Sequence, residues 1–528
     1  MHWADKLAEE VIVNAPEKEE YVCAAGISPS GSVHIGNFRD IVTGYFVCQA
    51  LRRKGKKARL LFSWDEFDRF RKVPANVAEL NNDFQKHIGK PYSDVPDPFG
   101  CCESYAGHFE KEFERALKVF NIDVDFRYQA AEYRSGRYVK HIITAIEKRK
   151  EIFDILDAFK TQNSTDEERE NYYPVSIYCP SCCKDDVTII EYDKKTHTAD
   201  YVCKCGHSGS FCFDHDYNCK LSWKVDWPMR WMSEGVDFEP GGKDHSSPTG
   251  SFQTSRIIAE KIFETKVPIY QGYEFIGIKG STGKMSGSTG LNLTPEALFR
   301  VYQPELILWL YSKTDPMKAF NFCFDEEILR QYFEFDKSYS ACLNGTADEL
   351  LSDVMYYCSI PGRKIKTVPM QQLASFGSIV EFSPSLLETI FNKIGTPYLY
   401  QDFEERVGLA RYWLENCSPE SVYHLRKDFD EEYLTSLSNV EQKELIVLHD
   451  FVSEKEYSMD ELQKFLYAVP TTVRGVIEDA KELKQLQAAF FRNVYRLLIG
   501  KEKGPRLYLF LFALEKSQFL HLLPSNTD

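Results

Sequence analysis

The sequence predicts an α/β protein in which a parallel, ligand-binding sheet is interrupted by a cysteine-rich insert and followed by an all-helical region. Three observations carry that prediction. The segment up to Asp65 reads as strand, turn, helix, strand. Four cysteines lie in two close pairs, Cys179/Cys182 and Cys203/Cys205. From about residue 300 onward glycines thin out and long helical patterns take over. With 528 residues and a 43% hydrophobic fraction, the chain is too long for one core and apolar enough to fold throughout. Roughly two to four domains are expected.

The elements follow from local pattern. Residues 20–26 form a short apolar run that ends in Gly26, a buried strand. The turn Ser28-Pro-Ser-Gly-Ser32 follows. Ile35, Phe38, Ile41, Val42, Tyr45, Phe46 and Leu51 recur at helical spacing and predict a helix over 35–53. Gly55 suits its C-terminal cap. Residues 58–64 (ARLLFSW) give a second strand, which completes a βαβ unit, the start of a parallel nucleotide-binding sheet. Residues 160–172 are polar and read as a linker. The insert covers 173–220, and 221–290 returns to strand, turn and glycine. Helices are expected over 403–416, 437–455, 459–468 and 474–499.

Charge excludes little. The net charge of −15 argues weakly against a nucleic-acid partner, because binding depends on local patches. Arg52, Arg53, Lys54, Lys56, Lys57 and Arg59 form one such patch, whose ordinary reading is a solvated helix end and turn. No apolar run reaches the ~20 residues of a membrane span. The N-terminus carries Asp5, Glu9 and Glu10 in place of a basic start and small-residue cleavage site, so a cytosolic protein is expected. Its fifteen cysteines would be reduced, and clustered ones point to metal.

Two glycine-bearing segments carry the chemistry. His34-Ile-Gly-Asn37 opens the first helix, where free N–H groups and the positive dipole end attract phosphate. Gly31 and Gly36 would let backbone and nucleotide approach closely, and His34 would donate to a phosphate oxygen as a preset dipole. Gly280–Gly290 is rich in Gly, Ser and Thr around Lys284 and Met285. Such a loop can close over a triphosphate. Lys284 would neutralise the β- and γ-phosphates, and Ser286 and Ser288 would hydrogen-bond phosphate. Cys179, Cys182, Cys203 and Cys205 suit a closed tetrahedral structural zinc site, with His207 or Cys212 as alternatives to Cys205 and Cys183 as a bystander.

HIGN at 34–37 together with KMSGS at 284–288 resembles the class I aminoacyl-tRNA synthetases. The segments MHWADKLAEE at the start, WDEFDRFRKVP (64–74), DPFGCCESYAGHFE (97–110), LSWKVDWPMRW (221–231), GGKDHSSPTGS (241–251) and GPRL (504–507) narrow the resemblance. They are similar to the class I lysyl-tRNA synthetases, the archaeal-type enzymes that are unrelated in fold to the class II lysyl enzymes. The resemblance implies a HUP-type Rossmann catalytic domain split into residues 1–172 (first half, with a connective insertion) and 221–310 (second half, with the KMSKS-like loop). A zinc-binding insert at 173–220 would separate the halves, and 311–528 would be a helical stem-contact and anticodon-binding region.

The same resemblance implies activation of L-lysine with ATP to lysyl-adenylate and transfer to tRNA(Lys), with substrate-associated Mg2+, structural Zn2+ and a monomeric state. His34, Asn37 and Lys284 would be catalytic. ATP would be bound by Gly31, His34, Gly36, Asn37, Lys284, Met285 and Ser286. Gly287 stands where the family has a second lysine, for which Lys279 offers a partial substitute. Lysine recognition needs a carboxylate and an apolar wall. Asp65 is the first choice for the ammonium, with Glu66 and Asp68 as rivals. Trp227, Trp223 and Tyr273 suit the wall, and Ser28 and His245 complete the pocket. A glutamyl-type synthetase would need a basic residue for its substrate, whereas the acid-rich WDEFD suits a cation. A non-catalytic tRNA-binding relative is opposed by the intact His34, Asn37, Lys284 and Asp65.

Overall fold

The structure, a computed structural model, describes residues 1–80, 82–160, 164–280 and 293–525. Lys284, Met285, Ser286, Gly287 and Ser288 lie outside the described residues. The chain divides into two compact units. One comprises Met1–Phe322 with Ala341–Arg363, the other Cys323–Ser340 with Lys364–Asp528.

The first unit is built on a five-stranded, wholly parallel sheet. From one edge its strands are Ile269–Tyr273, Phe238–Gly242, Glu20–Ile27, Lys57–Trp64 and Asp125–Tyr128. Counted in chain order and read from the far edge this is 3-2-1-4-5, the doubly wound order whose direction reverses beside the first strand. The expected strand–helix–strand start is present as Glu20–Ile27, Ile35–Arg53 and Lys57–Trp64. Glu20 to Ile27 pairs in unbroken register with Lys57 to Trp64. Both strands are nearly continuous apolar runs because helices cover both faces of a parallel sheet. The helix ends at Arg53, and Gly55 takes φ +75°, a left-handed conformation that glycine adopts without a Cβ clash.

The cysteine-rich insert leaves and returns at one place. Val175–Ile177 pairs antiparallel with Cys219–Leu221. Beyond that neck, Val187–Asp193, Thr198–Cys203 and Ser208–Cys212 form a three-stranded antiparallel ribbon. Its tyrosines and phenylalanines join a core that includes Tyr133, Tyr138, Val225 and Met229.

The expectation of helix throughout 311–528 needs correction. Phe320–Phe322 is a strand, paired parallel with Ile276–Ile278 and part of the first unit. Its aromatic, extended tripeptide completes an edge that local pattern does not reveal. The second unit contains no strand among its described residues. Its largest helices are Tyr400–Asn416, Asn439–Glu454, Met459–Arg474 and Ala480–Ile499. Ser438 with Glu441, and Ser458 with Glu461, form capping boxes that set two of these starts. The third helix runs past residue 468 to Arg474, and the fourth begins at Ala480 and not at 474. Gly475, at φ +87°, ends the one, and the Asp479 side chain caps the other. Leu445, Leu448, Leu462, Leu466, Phe490 and Val494 pack together in their core. No described helix is long and apolar enough to cross a membrane.

Candidate active site

A cleft of about 1050 Å³ opens at the carboxyl ends of the strands, beside the reversal point of the sheet. It brings together Ser28, His34, Gly36, Asn37, Asp65 and Asp68. Trp223, Trp227, His245 and Tyr273 line it as well. Gly31 is buried in the preceding turn and does not line it.

His34 is the N-cap of the helix Ile35–Arg53. Its Nδ1 accepts the N–H of Asn37 at 3.2 Å. In the neutral ring that arrangement puts the proton on Nε2, leaving a donor edge at the helix start. Gly36 matters for a reason the sequence does not reveal. A Cβ there would stand 2.9 Å from His34 Cε1 and Nδ1, so glycine is what lets the ring fold back over its own helix. The flanks of the Lys284 segment are tied nearby. Leu293 accepts the N–H of Ile35 at 2.9 Å, and the N–H of Lys279 bonds to Phe322 at 2.9 Å.

The acidic run after the second strand divides its labour. Asp65, the first-choice ammonium partner, lines the cleft and is paired with Arg230. Its Oδ1 lies 2.7 Å from Arg230, and its side chain is 6% exposed. Burial pushes its carboxyl up and Arg230 opposes the shift. Glu66 meets the start of the helix Gln129–Arg134, accepting N–H bonds from Gln129 (3.0 Å) and Ala130 (2.7 Å), and burial raises it to about 8. Asp68 faces the cleft, with a side chain 25% exposed. It takes the Ser28 hydroxyl at 2.8 Å and Lys220 Nζ at 2.8 Å. Burial pushes Asp68 up, but the charge and hydrogen bond of Lys220, with Ser28, outweigh burial and hold it below the usual carboxylate range. Asp226 completes the cluster, 3.1 Å from Lys220 and 2.9 Å from Arg230, and accepts the Tyr133 hydroxyl. Three carboxylates thus face two cations.

The aromatic wall is present. Trp223 and Trp227 stack at 4.9 Å, and His245 lies 5.8 Å from Trp227. Burial lowers the His245 pKa, which favours the neutral ring. The indole N–H of Trp223 is buried without a hydrogen-bond partner. Tyr273 is engaged with the buried Asp40, which also accepts the N–H of Gly26 at 3.2 Å. Sequence reasoning missed Arg230, Lys220, Asp226 and Glu239. Glu239 lines the cleft, accepts the Trp231 indole N–H at 2.5 Å, and is raised to about 7 by burial. The sequence held one signal, a buried-strand position occupied by a carboxylate.

The patch Arg52–Arg59 is largely internally paired. Arg53 meets Asp353 at 2.6 Å, Lys54 meets Glu9 at 2.8 Å and Arg59 meets Asp125 at 2.6 Å. The ordinary reading of that run fits these pairs. Arg474 is likewise tied to Glu444, at 2.7 Å.

In the ribbon, the Sγ atoms of Cys179, Cys182, Cys203 and Cys205 lie within 4.8 Å of one another. Cys179 and Cys205 are 3.8 Å apart and Cys182 and Cys203 3.6 Å. A tetrahedron with metal–sulfur bonds of about 2.3 Å has edges of about 3.8 Å, so the four thiols fit a closed zinc site. Cys205 fills the fourth corner. Cys212 instead donates to the Thr196 carbonyl, and His207 and Cys183 stand outside the group.

A doubly wound parallel sheet with a histidine-capped helix at its reversal point defines a nucleotide-handling α/β protein. The family model described as tRNA synthetases class I (K) matches residues 1–360. The lysine–tRNA ligase of Pyrococcus horikoshii is 36% identical over 529 residues, spanning 98% of each chain. That of Treponema pallidum is 34% identical over 543 residues, 99% of this chain and 98% of its own. Among solved structures, the glutamate-tRNA synthetase of Elizabethkingia anophelis covers 96% of this chain and 99% of its own with a TM-score of 0.46 and 11% identity, too loose a likeness to add to the assignment. The chain belongs to the class I tRNA synthetases of the (K) family.

Proposed function

We propose that the chain is a lysine–tRNA ligase. A carboxylate oxygen of L-lysine attacks the α-phosphorus of ATP, diphosphate leaves, and lysyl-adenylate forms. The terminal adenosine hydroxyl of tRNA(Lys) then attacks the lysyl carbonyl, and AMP leaves. The observation that carries this reading is one buried charge cluster that reaches the cleft through Asp65 and Asp68. Within it Asp65, Asp68 and Asp226 outnumber Arg230 and Lys220 by one, beside the stacked Trp223 and Trp227. That is a receptor for one ammonium on an aliphatic stem. Asp68 takes the direct role, because it opens to the cleft while Asp65 anchors Arg230.

Elsewhere in the cleft lining, the N–H groups of the helix start and His34 meet phosphate charge as it develops. Asn37 offers further donors there. Lys284, with Met285 and Ser286 next to it in sequence, supplies a further cation, and Mg2+ arrives with the nucleotide. Zn2+ held by Cys179, Cys182, Cys203 and Cys205 is structural, because four protein ligands leave no open position.

ATP–diphosphate exchange in the presence of tRNA tests the reading. Exchange should depend on lysine and not on glutamate. Glutamate-dependent exchange would overturn the substrate, and no exchange with either would favour a tRNA-binding protein without catalysis.

A further inference from the structure

Beyond Tyr273 the cleft wall is carried by a separate two-stranded sheet, Ile276–Ile278 with Phe320–Phe322, which shares no strand with the five-stranded sheet among the described residues. Phe275, Ile276, Gly277, Ala319 and Asn321, in this small sheet and at its edges, line the cleft. No sheet ladder therefore sets this wall against the phosphate-binding helix. We infer that Arg39 does so: it is a positioning residue that bolts the wall to the helix Ile35–Arg53 and holds it against the donors that meet ATP.

Arg39 lies just over one helical turn beyond His34 and is buried, 2% exposed. Its Nη1 donates to the Glu274 carbonyl at 2.8 Å, and its Nη2 donates to the carbonyls of Asp315 and Lys318, each at 3.0 Å. Glu274 stands between Tyr273 and Phe275, where the chain passes from the large sheet to the small one. Residues 315–318 form the turn that leads into Phe320–Phe322, closed by the Lys318 N–H on the Asp315 carbonyl at 2.9 Å. One guanidinium thus holds the lead-in to both wall strands. The Phe320 ring lies against it, 5.7 Å from the ring centre. A second bond follows the same route. Tyr311, on the helix Pro304–Lys313 that runs into this turn, donates its hydroxyl to the Ile35 carbonyl at 2.8 Å.

The residue type suits the task. A buried cation is costly unless it is well bonded, and the bonds of Arg39 go to main-chain carbonyls and not to a carboxylate among the described residues. A planar fork with five donors reaches two chain segments at once, whereas an ammonium is a point donor that cannot span them in the same geometry. Because the acceptors are backbone, the side chains at 274, 315 and 318 need not match the arginine, and no charge pattern in the sequence announces the link.

The inference rests on the reading of the cleft as an ATP site, and two measurements keep the two apart. Equilibrium binding of ATP to the full chain needs neither an amino acid nor turnover. Arg39→Met, of similar length, should weaken it about tenfold. Arg39→Lys keeps the charge but releases one segment, and should weaken it about threefold. In lysine-dependent exchange, Arg39→Met should raise the ATP KM about tenfold and leave the lysine KM within about twofold. Tyr273 belongs to the five-stranded sheet and stays engaged with Asp40. A merely structural role would lower the active fraction, and with it kcat, at an unchanged ATP KM. Circular dichroism checks the fold of each variant; should Arg39→Met fail to fold, Arg39→Lys carries the test. ATP binding unchanged in either folded variant, or equal rises in the two KM values, would overturn the inference. A wild-type chain that binds ATP but exchanges with no amino acid would sink the ligase reading and leave the binding comparison to judge Arg39. A wild-type chain that binds no ATP would overturn both.

Discussion

Replacing Asp68 by Asn tests the cation receptor most directly. Asn keeps the size of the side chain and can still accept the Ser28 hydroxyl, which lies 2.8 Å from the carboxylate. It removes one of three negative charges, so Asp65 and Asp226 would then balance Lys220 and Arg230 and leave the cluster neutral. A hydrogen bond between ionised partners contributes about 1.5–3 kcal/mol. At about 1.4 kcal/mol per factor of ten, the lysine KM should rise roughly 10- to 150-fold. The ATP KM should stay within about twofold, because the proposed phosphate donors are at the helix start, at His34 and Asn37, and not at Asp68. Asp65→Asn removes the same charge from a different place. It deprives a buried Arg230 of its 2.7 Å partner, although Asp226 remains at 2.9 Å. Its main effect should be a lost stability of about 3 kcal/mol, with a smaller rise in lysine KM than Asp68→Asn gives. Steady-state exchange kinetics and thermal unfolding of both variants separate the roles. A lysine KM for Asp68→Asn within about twofold of the wild type, or an equal rise in both substrates' KM, would refute the assignment.

Three further outcomes are expected. His34→Ala should cost about 1 kcal/mol through the lost N-cap and slow adenylate formation about 100- to 1000-fold; His34→Asn should restore the stability, read by urea unfolding, but not the rate. Gly36→Ala would place a Cβ 2.9 Å from the His34 ring and displace it. Adenylate formation should fall with an unchanged circular dichroism spectrum, and adding Gly36→Ala to His34→Ala should cause little further loss. Glu239 is raised to about 7 by burial, from an ordinary value of 4.5. The folded state therefore binds more protons than the unfolded one between pH 4.5 and 7, and its stability falls as pH rises through that window. Glu239→Gln should flatten that part of the stability–pH curve by on the order of 1–3 kcal/mol, measured by urea unfolding at pH 5 and 7.5; an unchanged slope would show that Glu239 ionises normally.

What was legible in the sequence was local. The first strand, its helix and the second strand matched the expected boundaries within a residue, because an apolar run, a 3.6-residue period and a glycine stop each leave a mark on consecutive residues. The helix expected over 459–468 runs on to Arg474 with Pro470 inside it, so a residue that ordinarily breaks a helix does not mark the end of this one. Partners distant in sequence left no mark. WDEFD announced a cationic ligand, yet which acid is engaged depends on Arg230 and Lys220, more than 150 positions away. The tryptophans of LSWKVDWPMRW stood out as a wall, and they obscured the lysine just before that segment and the arginine within it. The fourth ribbon ligand was ambiguous for the same reason: CxC spacing admits Cys205, His207 or Cys212, and only the fold of the ribbon turns Cys212 toward Thr196.

Those two cations sharpen the argument for the substrate. Arg230 could have served a glutamate side chain, but Asp65 and Asp226 already hold it at 2.7 and 2.9 Å, and its charge is neutralised where it stands. Lys220 makes the complementary point. Burial works against its ammonium, with a side chain 6% exposed, yet Asp226, Asp68 and Asp65 override burial and hold its pKa above the ordinary lysine value. The field at this end of the cleft thus stabilises a buried lysine ammonium within the protein's own chain. A substrate ammonium entering beside Asp68 meets that same field, with one carboxylate charge still uncompensated, and a substrate carboxylate meets its opposite. Selection between lysine and glutamate is in this view a property of the whole cluster. Asp68→Asn, which neutralises it, should therefore weaken lysine discrimination without creating glutamate activation, since Lys220 keeps Asp226 and Arg230 keeps Asp65 and Asp226.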